Sequence, residues 1–158
     1  QNLIDNFHPA SRRGLSAAFN IVITETGAAK AVVKALPELD GKMTGNAIRV
    51  PTPNVSLAIL NLTLESDVDR EGLNDYLREL SIHSELRHQI DYVCSPEVVS
   101  SDFVGNRHAG IVDGEATIAD GRQIVLYVWY DNEYGYSCQV VRLVEKMACQ
   151  NLVELPEQ

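Results

Sequence analysis

Between positions 97 and 130 the chain runs through EVVSSDFVG, HAGIVDG, EATIADG and RQIVLYVWY, four short apolar segments punctuated by Gly and Asp. β-Branched and aromatic side chains suit a pleated, half-buried surface, and Gly and Asp suit tight turns. The pattern predicts strands joined by short connections. No other part of the sequence constrains the fold as strongly, because short connections favour antiparallel pairing.

Around this block other elements can be read. Residues 20–23 form a short apolar run and predict a strand. Residues 27–36 predict a helix, with Val32, Val33, Ala35 and Leu36 as its apolar surface and Pro37 closing it. Asp40-Gly41-Lys42 is a turn signal. NAIRVP and VSLAILNLTLE predict two more strands; in the second, Leu60, Leu62 and Leu64 alternate with polar residues, so one face there is expected to stay solvated. Ser66-x-x-Asp69 resembles a capping box, and Leu73, Tyr76, Leu77 and Leu80 follow at helical spacing, predicting an amphipathic helix over 68–82. A short helical piece over 85–90 and a final helix over 137–147 complete the set. Residues 1–20, with Pro9, Gly14 and the pair Arg12-Arg13, predict an irregular loop, and residues 148–158 a loose tail. Strands outnumber helices without strict βαβ alternation. The expected class is therefore α+β: a mixed, largely antiparallel sheet with helices packed on one face. No GxGxxG follows a strand, so no dinucleotide fold is expected within this chain.

Composition narrows the function. With 158 residues and 45% apolar content, the chain can bury one globular core. Its 13 basic and 22 acidic residues leave a net charge of −9, which gives no general attraction for nucleic acid or anionic lipid. Any phosphate site has to be local. No run approaches the roughly 18 apolar residues of a membrane span, and no secretory signal opens the chain. Cys94, Cys138 and Cys149 are an odd number without CxxC spacing, which fits a reducing, cytoplasmic setting. The start at Gln1, with no Met, reads as the interior of a longer polypeptide.

Three stretches carry candidate chemistry, each beside a plainer reading. In TETGAAK, Gly27, Ala28 and Ala29 leave the first turn of a helix bare, where unpaired amides attract an anion; Thr26 either caps that helix or turns its hydroxyl to a phosphate oxygen. Glu25 beside it weighs against an anion. In AIRVPTPNVS, Arg49 interrupts an apolar strand, a costly place unless it forms an ion pair with an acidic residue or faces a phosphate. In WYDNEYGYS, residues 129–137 join a strand to a helix; this is either a turn with aromatic packing or a ligand site in which Asn132 offers both a donor and an acceptor. His8, His83, His88 and His108 lack metal-ligand spacing, and no metal site is expected. Cys138, with no His beside it, reads as a buried structural thiol, and no nucleophile–base pair emerges.

Taken together, NIVITETGAAKAVVKALPELDGKMTGNAIRVPTPNVS, SSDFVG and WYDNEYGYS resemble phosphorylating glyceraldehyde-3-phosphate dehydrogenase, over residues 1 to about 147. RRGLSAAFNIVITETGAAK with YVWYDNEYGYSCQVV is most similar to a longer, divergent bacterial branch. The resemblance implies that Thr26, Gly27 and Arg49 bind phosphate, with Arg13 near them. It implies that Asn132 and Tyr136 meet the nicotinamide of NAD or NADP. It also implies glyceraldehyde 3-phosphate and inorganic phosphate as substrates and a homotetramer. The family's catalytic Cys and His would lie upstream of Gln1, so the isolated chain is expected to be inactive. Residues 1–131 would form the catalytic and tetramerisation domain, short of its first strand. Residues 132–147 would dock on the absent nucleotide-binding domain, and 148–158 would be a tail. Departures are Leu15, where the family commonly has Arg, and Tyr134, where it commonly has Trp. Alternatives are a portion of an erythrose-4-phosphate dehydrogenase, or a non-catalytic oligomerisation or phosphate-binding fragment.

Overall fold

A computed structural model describes residues 4–16, 18 and 20–149. It divides into two compact units, one within residues 1–53 and the other within residues 54–158.

In the first unit, α1 (Ser11–Gly14) is a single helical turn. It lies inside the segment expected to be irregular. β1 (Val22–Glu25) buries Val22 and Thr24 and exposes the alternate residues. The strand sits two residues later than the apolar run suggested, because pairing rather than hydrophobicity sets its ends: Val22 faces Arg49 and Glu25 faces Asn46 on antiparallel β2 (Asn46–Arg49). Between them comes α2 (Ala28–Ala35), as expected, followed by a 3-10 turn at Pro37–Leu39.

The second unit is a five-stranded mixed sheet. β3 (Ser56–Thr63) is followed by α3 (Arg70–His83), β4 (Ile90–Val93), β5 (Gly110–Asp113), β6 (Ile118–Asp120), β7 (Gln123–Tyr130) and α4 (Tyr134–Met147). The order is β3-β7-β5-β4, with β6 also paired to β7. Among the described residues only β4 with β5 is parallel; every other pairing is antiparallel. The α+β class and the mostly antiparallel sheet agree with expectation. β7 is the centre: it pairs along all of β3, from Ser56 opposite Tyr130 to Thr63 opposite Gln123. Gly121, at φ +58, makes the tight turn from β6 into β7. Val55, Phe103 and Ile111 form the core beneath this sheet, with Trp129 stacked on Phe103 at 5.3 Å between centroids.

Five local expectations need correction. Ser66 does not cap α3; the Asp69 side chain does, accepting from the Gly72 amide at 2.7 Å. Residues 85–89 are turns, and Ile90 already belongs to β4, a strand the sequence did not reveal. Within EVVSSDFVG, Ser100–Phe103 is a 3-10 turn: Asp102 Oδ2 accepts from the Val99 amide at 2.7 Å, a local bond that outcompetes strand pairing. On β3 both faces stay open after Ala58, since Ile59 and Leu60 are each exposed. α4 begins three residues before the expected start. Of the expected tail, residues 150–158 lie outside the described residues.

Candidate functional site

The candidates fall into two groups, one in each unit. In the first unit three of them gather on the end of β1. Arg13 Nη2 donates to the Glu25 carbonyl at 3.2 Å, Arg49 Nε donates to Thr24 Oγ1 at 3.2 Å, and Thr26 follows directly. The sequence places Arg49 at the last position of β2, and antiparallel pairing turns its side chain onto β1. Among the described residues no carboxylate pairs with Arg49, so the ion-pair alternative finds no partner. Thr26 Oγ1 accepts from the Ala28 amide at 3.2 Å. Gly27, not Thr26, is the N-cap of α2, which has no side-chain capping bond; the Thr26 contact closes a local turn just before the helix and leaves the hydroxyl proton available to an acceptor. A Cβ built on Gly27 would meet nothing within 4 Å, and Gly27 and Ala28 are exposed. The start of α2 is therefore open to an approaching group, its amides pointing outward.

In the second unit, β7 ends at Tyr130 and α4 begins at Tyr134, with Asp131, Asn132 and Glu133 between. Asn132 is exposed, and its Oδ1 accepts from Ser56 Oγ at 2.8 Å. Tyr136, in the first turn of α4, is 70% exposed. The residue that organises this corner is one the sequence reading passed over. Asp131 is buried and accepts from the amides of Gly105, Glu133 and Tyr134 at 2.9, 2.9 and 2.8 Å. The Gly105 amide, then the Tyr134 amide, the Asn54 side chain and the Glu133 amide, hold its carboxyl at a pKa of about 2 against the opposing effect of burial. An Asp three residues before a helix start, placed to accept from the amides two and three residues on, is an Asx-turn signal that would have marked it.

Val55, just before β3, has φ +68. For a β-branched residue that is an outlier costing about 1–3 kcal/mol, held here because the Val55 side chain fills the core with Phe103 and Ile111.

The cysteines and histidines stay apart as chemistry. Cys94 is exposed and faces Glu115 Oε2 at 3.6 Å; Cys138 is half-buried rather than fully buried as expected; Cys149 is exposed. His108 Nδ1 sits 2.8 Å from Asn106 Oδ1 and 3.5 Å from Asp91 Oδ2. Among the described residues no group of three His, Cys, Asp or Glu could hold a metal, and no helix is long and apolar enough to cross a membrane.

Comparison with known proteins points one way. Residues 1–132 match the family model described as glyceraldehyde 3-phosphate dehydrogenase, C-terminal domain. A glyceraldehyde-3-phosphate dehydrogenase-like protein of Pseudomonas aeruginosa (strain UCBPP-PA14) is 67% identical over 99% of this chain and 34% of its own length. Glyceraldehyde-3-phosphate dehydrogenases of Kitasatospora aureofaciens and Borreliella burgdorferi are each 44% identical, over 95% and 93% of this chain and 45% and 44% of theirs. The chain thus spans less than half the length of these relatives.

Proposed function

We propose a function from one premise: the chain belongs to the glyceraldehyde 3-phosphate dehydrogenase family and corresponds to its C-terminal domain. On this reading it is the C-terminal part of an enzyme that oxidises and phosphorylates glyceraldehyde 3-phosphate through a thioester. The observation that carries the proposal is the convergence of Arg13, Arg49 and Thr26 on residues 24–26, beside the open first turn of α2.

Each of these residues has a definite task. Arg49 and Arg13 supply positive charge in a chain whose net charge is −9, so they attract phosphate locally where the whole molecule does not. Thr26 donates its hydroxyl proton, and the amides at the start of α2, with Gly27 allowing close approach, donate to the anion's oxygens. Charge placed in advance in this way lowers the barrier by orienting the substrate. The nucleophilic Cys and the base His are assigned to the part of the protein upstream of this chain.

The family uses a nicotinamide cofactor, which when bound takes up the electrons released by the aldehyde. The residues present fit one end of it. Asn132 offers amide protons toward a carboxamide, and the exposed ring of Tyr136 lies four residues further on, in the first turn of α4. Nothing among the described residues forms a glycine-rich strand-to-helix turn for a pyrophosphate, so the remainder of NAD or NADP is assigned to the nucleotide-binding domain. Residues 1–131 then act as catalytic and tetramerisation domain, and 132–147 as the segment that docks on that partner domain, in a cytoplasmic homotetramer.

The test is NADH formation from glyceraldehyde 3-phosphate, NAD and inorganic phosphate by the full-length protein. Arg49→Ala should raise the KM for phosphate or for the aldehyde by about 10- to 100-fold, the value of one charge-assisted contact. The chain alone should produce no NADH. A full-length protein inactive on this aldehyde, or indifferent to Arg49→Ala, overturns the assignment; faster turnover of erythrose 4-phosphate would move it to that substrate.

A further inference from the structure

Three consecutive residues, Asn54, Val55 and Ser56, meet the corner between β7 and α4 in a way the proposed function does not use. The Val55 side chain is buried with Phe103 and Ile111, and its backbone takes the left-handed conformation. On either side of it the two polar neighbours turn to consecutive residues of the corner: the Asn54 side chain donates to the Asp131 carboxylate, and Ser56 Oγ donates to Asn132 Oδ1 at 2.8 Å. Asp131 in turn holds the amides of Gly105, Glu133 and Tyr134. Ser56 and Asn132 are 76 residues apart in sequence.

We propose that Ser56 is a positioning residue for the nicotinamide end of the cofactor site, setting the orientation of the Asn132 amide. An exposed Asn amide turns freely about its last bond and presents oxygen or nitrogen alike. The hydroxyl of Ser56 occupies one lone pair of Oδ1 and fixes the plane of the amide. Nδ2, which bonds to nothing else among the described residues, then faces outward as a donor. Asn54 keeps the corner in place through Asp131, and Val55 anchors both neighbours to the core. This inference rests on reading Asn132 as the nicotinamide anchor.

The experiment uses full-length protein with Ser56→Ala, Ser56→Thr, Asn132→Ala and the double variant Ser56→Ala/Asn132→Ala. Ser56→Ala should raise the KM for NAD about fivefold, the loss of one hydrogen bond's worth of orientation, with kcat and the KM for phosphate within about twofold. Ser56→Thr, which keeps the hydroxyl, should stay within about twofold throughout. In the Asn132→Ala background, Ser56→Ala should add nothing, because its target is gone. If Asn132→Ala weakens NAD binding while Ser56→Ala does not, positioning by Ser56 is refuted and the role of Asn132 stands. An unchanged KM for NAD in Asn132→Ala overturns the anchor itself. Equal losses for NAD and phosphate in Ser56→Ala, or the same loss in Ser56→Thr, would mean general damage to the fold and also refute the proposal.

Discussion

At Asp131 four donors converge on one buried carboxylate: three backbone amides and the Asn54 side chain. Its carboxyl is lowered from 3.8 to about 2. Below pH 4 the unfolded chain therefore takes up a proton that the folded chain refuses until about pH 2. The carboxylate's contribution, about 2 kcal/mol, is complete above the unfolded value and is lost as the pH falls through the folded one. Asp131→Asn should lower stability by a similar amount at neutral pH and flatten the fall in urea midpoint between pH 4 and pH 2; an unchanged acid limb would count against this assignment. Candidate site residues were legible to different depths at this scale. Thr26 and Arg49 stood out because their surroundings made them anomalous, a hydroxyl before a bare helix turn and a charge in an apolar strand. Ser56 and Asn54 did not, since a Ser and an Asn near the start of a strand look ordinary until the partner corner is in place.

Among the elements, the helices were the most legible, because their apolar spacing is local. α3 fell where Leu73, Tyr76, Leu77 and Leu80 placed it. Its cap was misassigned by three residues, since both Ser66 and Asp69 have suitable side chains and only backbone geometry selects between them. Asp69→Ala should cost about 1 kcal/mol, read as a lower thermal midpoint, whereas Ser66→Ala should not. α4 is set by a close approach: a Cβ on Gly135 would lie 2.7 Å from the His108 carbonyl oxygen and 3.3 Å from that of Asn106. Gln139 and Arg142 bond to the His88 carbonyl, and Gln139 also to that of Arg107. Gly135→Ala should cost about 1–3 kcal/mol by overpacking against backbone and shift the start of α4, seen as lower stability together with a raised KM for NAD in the full-length protein. β4 went unread for a different reason. Its four residues carry no long periodic signal, and its parallel partner β5 lies beyond the long connection of residues 94–109.

For the whole molecule, two surfaces stand out. On α4, Val140, Val141, Leu143 and Val144 are 41–59% exposed, and on β3 Leu57, Ile59, Leu60 and Leu62 are also exposed. Apolar area on this scale suits burial against other protein. In the proposed reading, α4 meets the nucleotide-binding domain and the sheet meets other subunits. The chain by itself should then associate through these faces. Sedimentation velocity at several concentrations should show mass rising with concentration; a monomer throughout would remove this account of both surfaces.

Before any folding, the residues already carry the α+β class, the longer helices, the net charge that confines phosphate binding to a local site, and the motifs that place the chain in its family. These are properties of composition and short-range spacing, which a chain carries before it folds. Tertiary structure alone decided that β4 runs parallel to β5, that Arg13 and Arg49 meet on residues 24–25, and that Ser56 reaches Asn132. Each of these depends on which distant backbone donors and acceptors pair. Many registers satisfy the same local preferences; in the second unit the one that buries Val55, Phe103 and Ile111 together settles the choice, and in the first the pairing of β1 with β2 does.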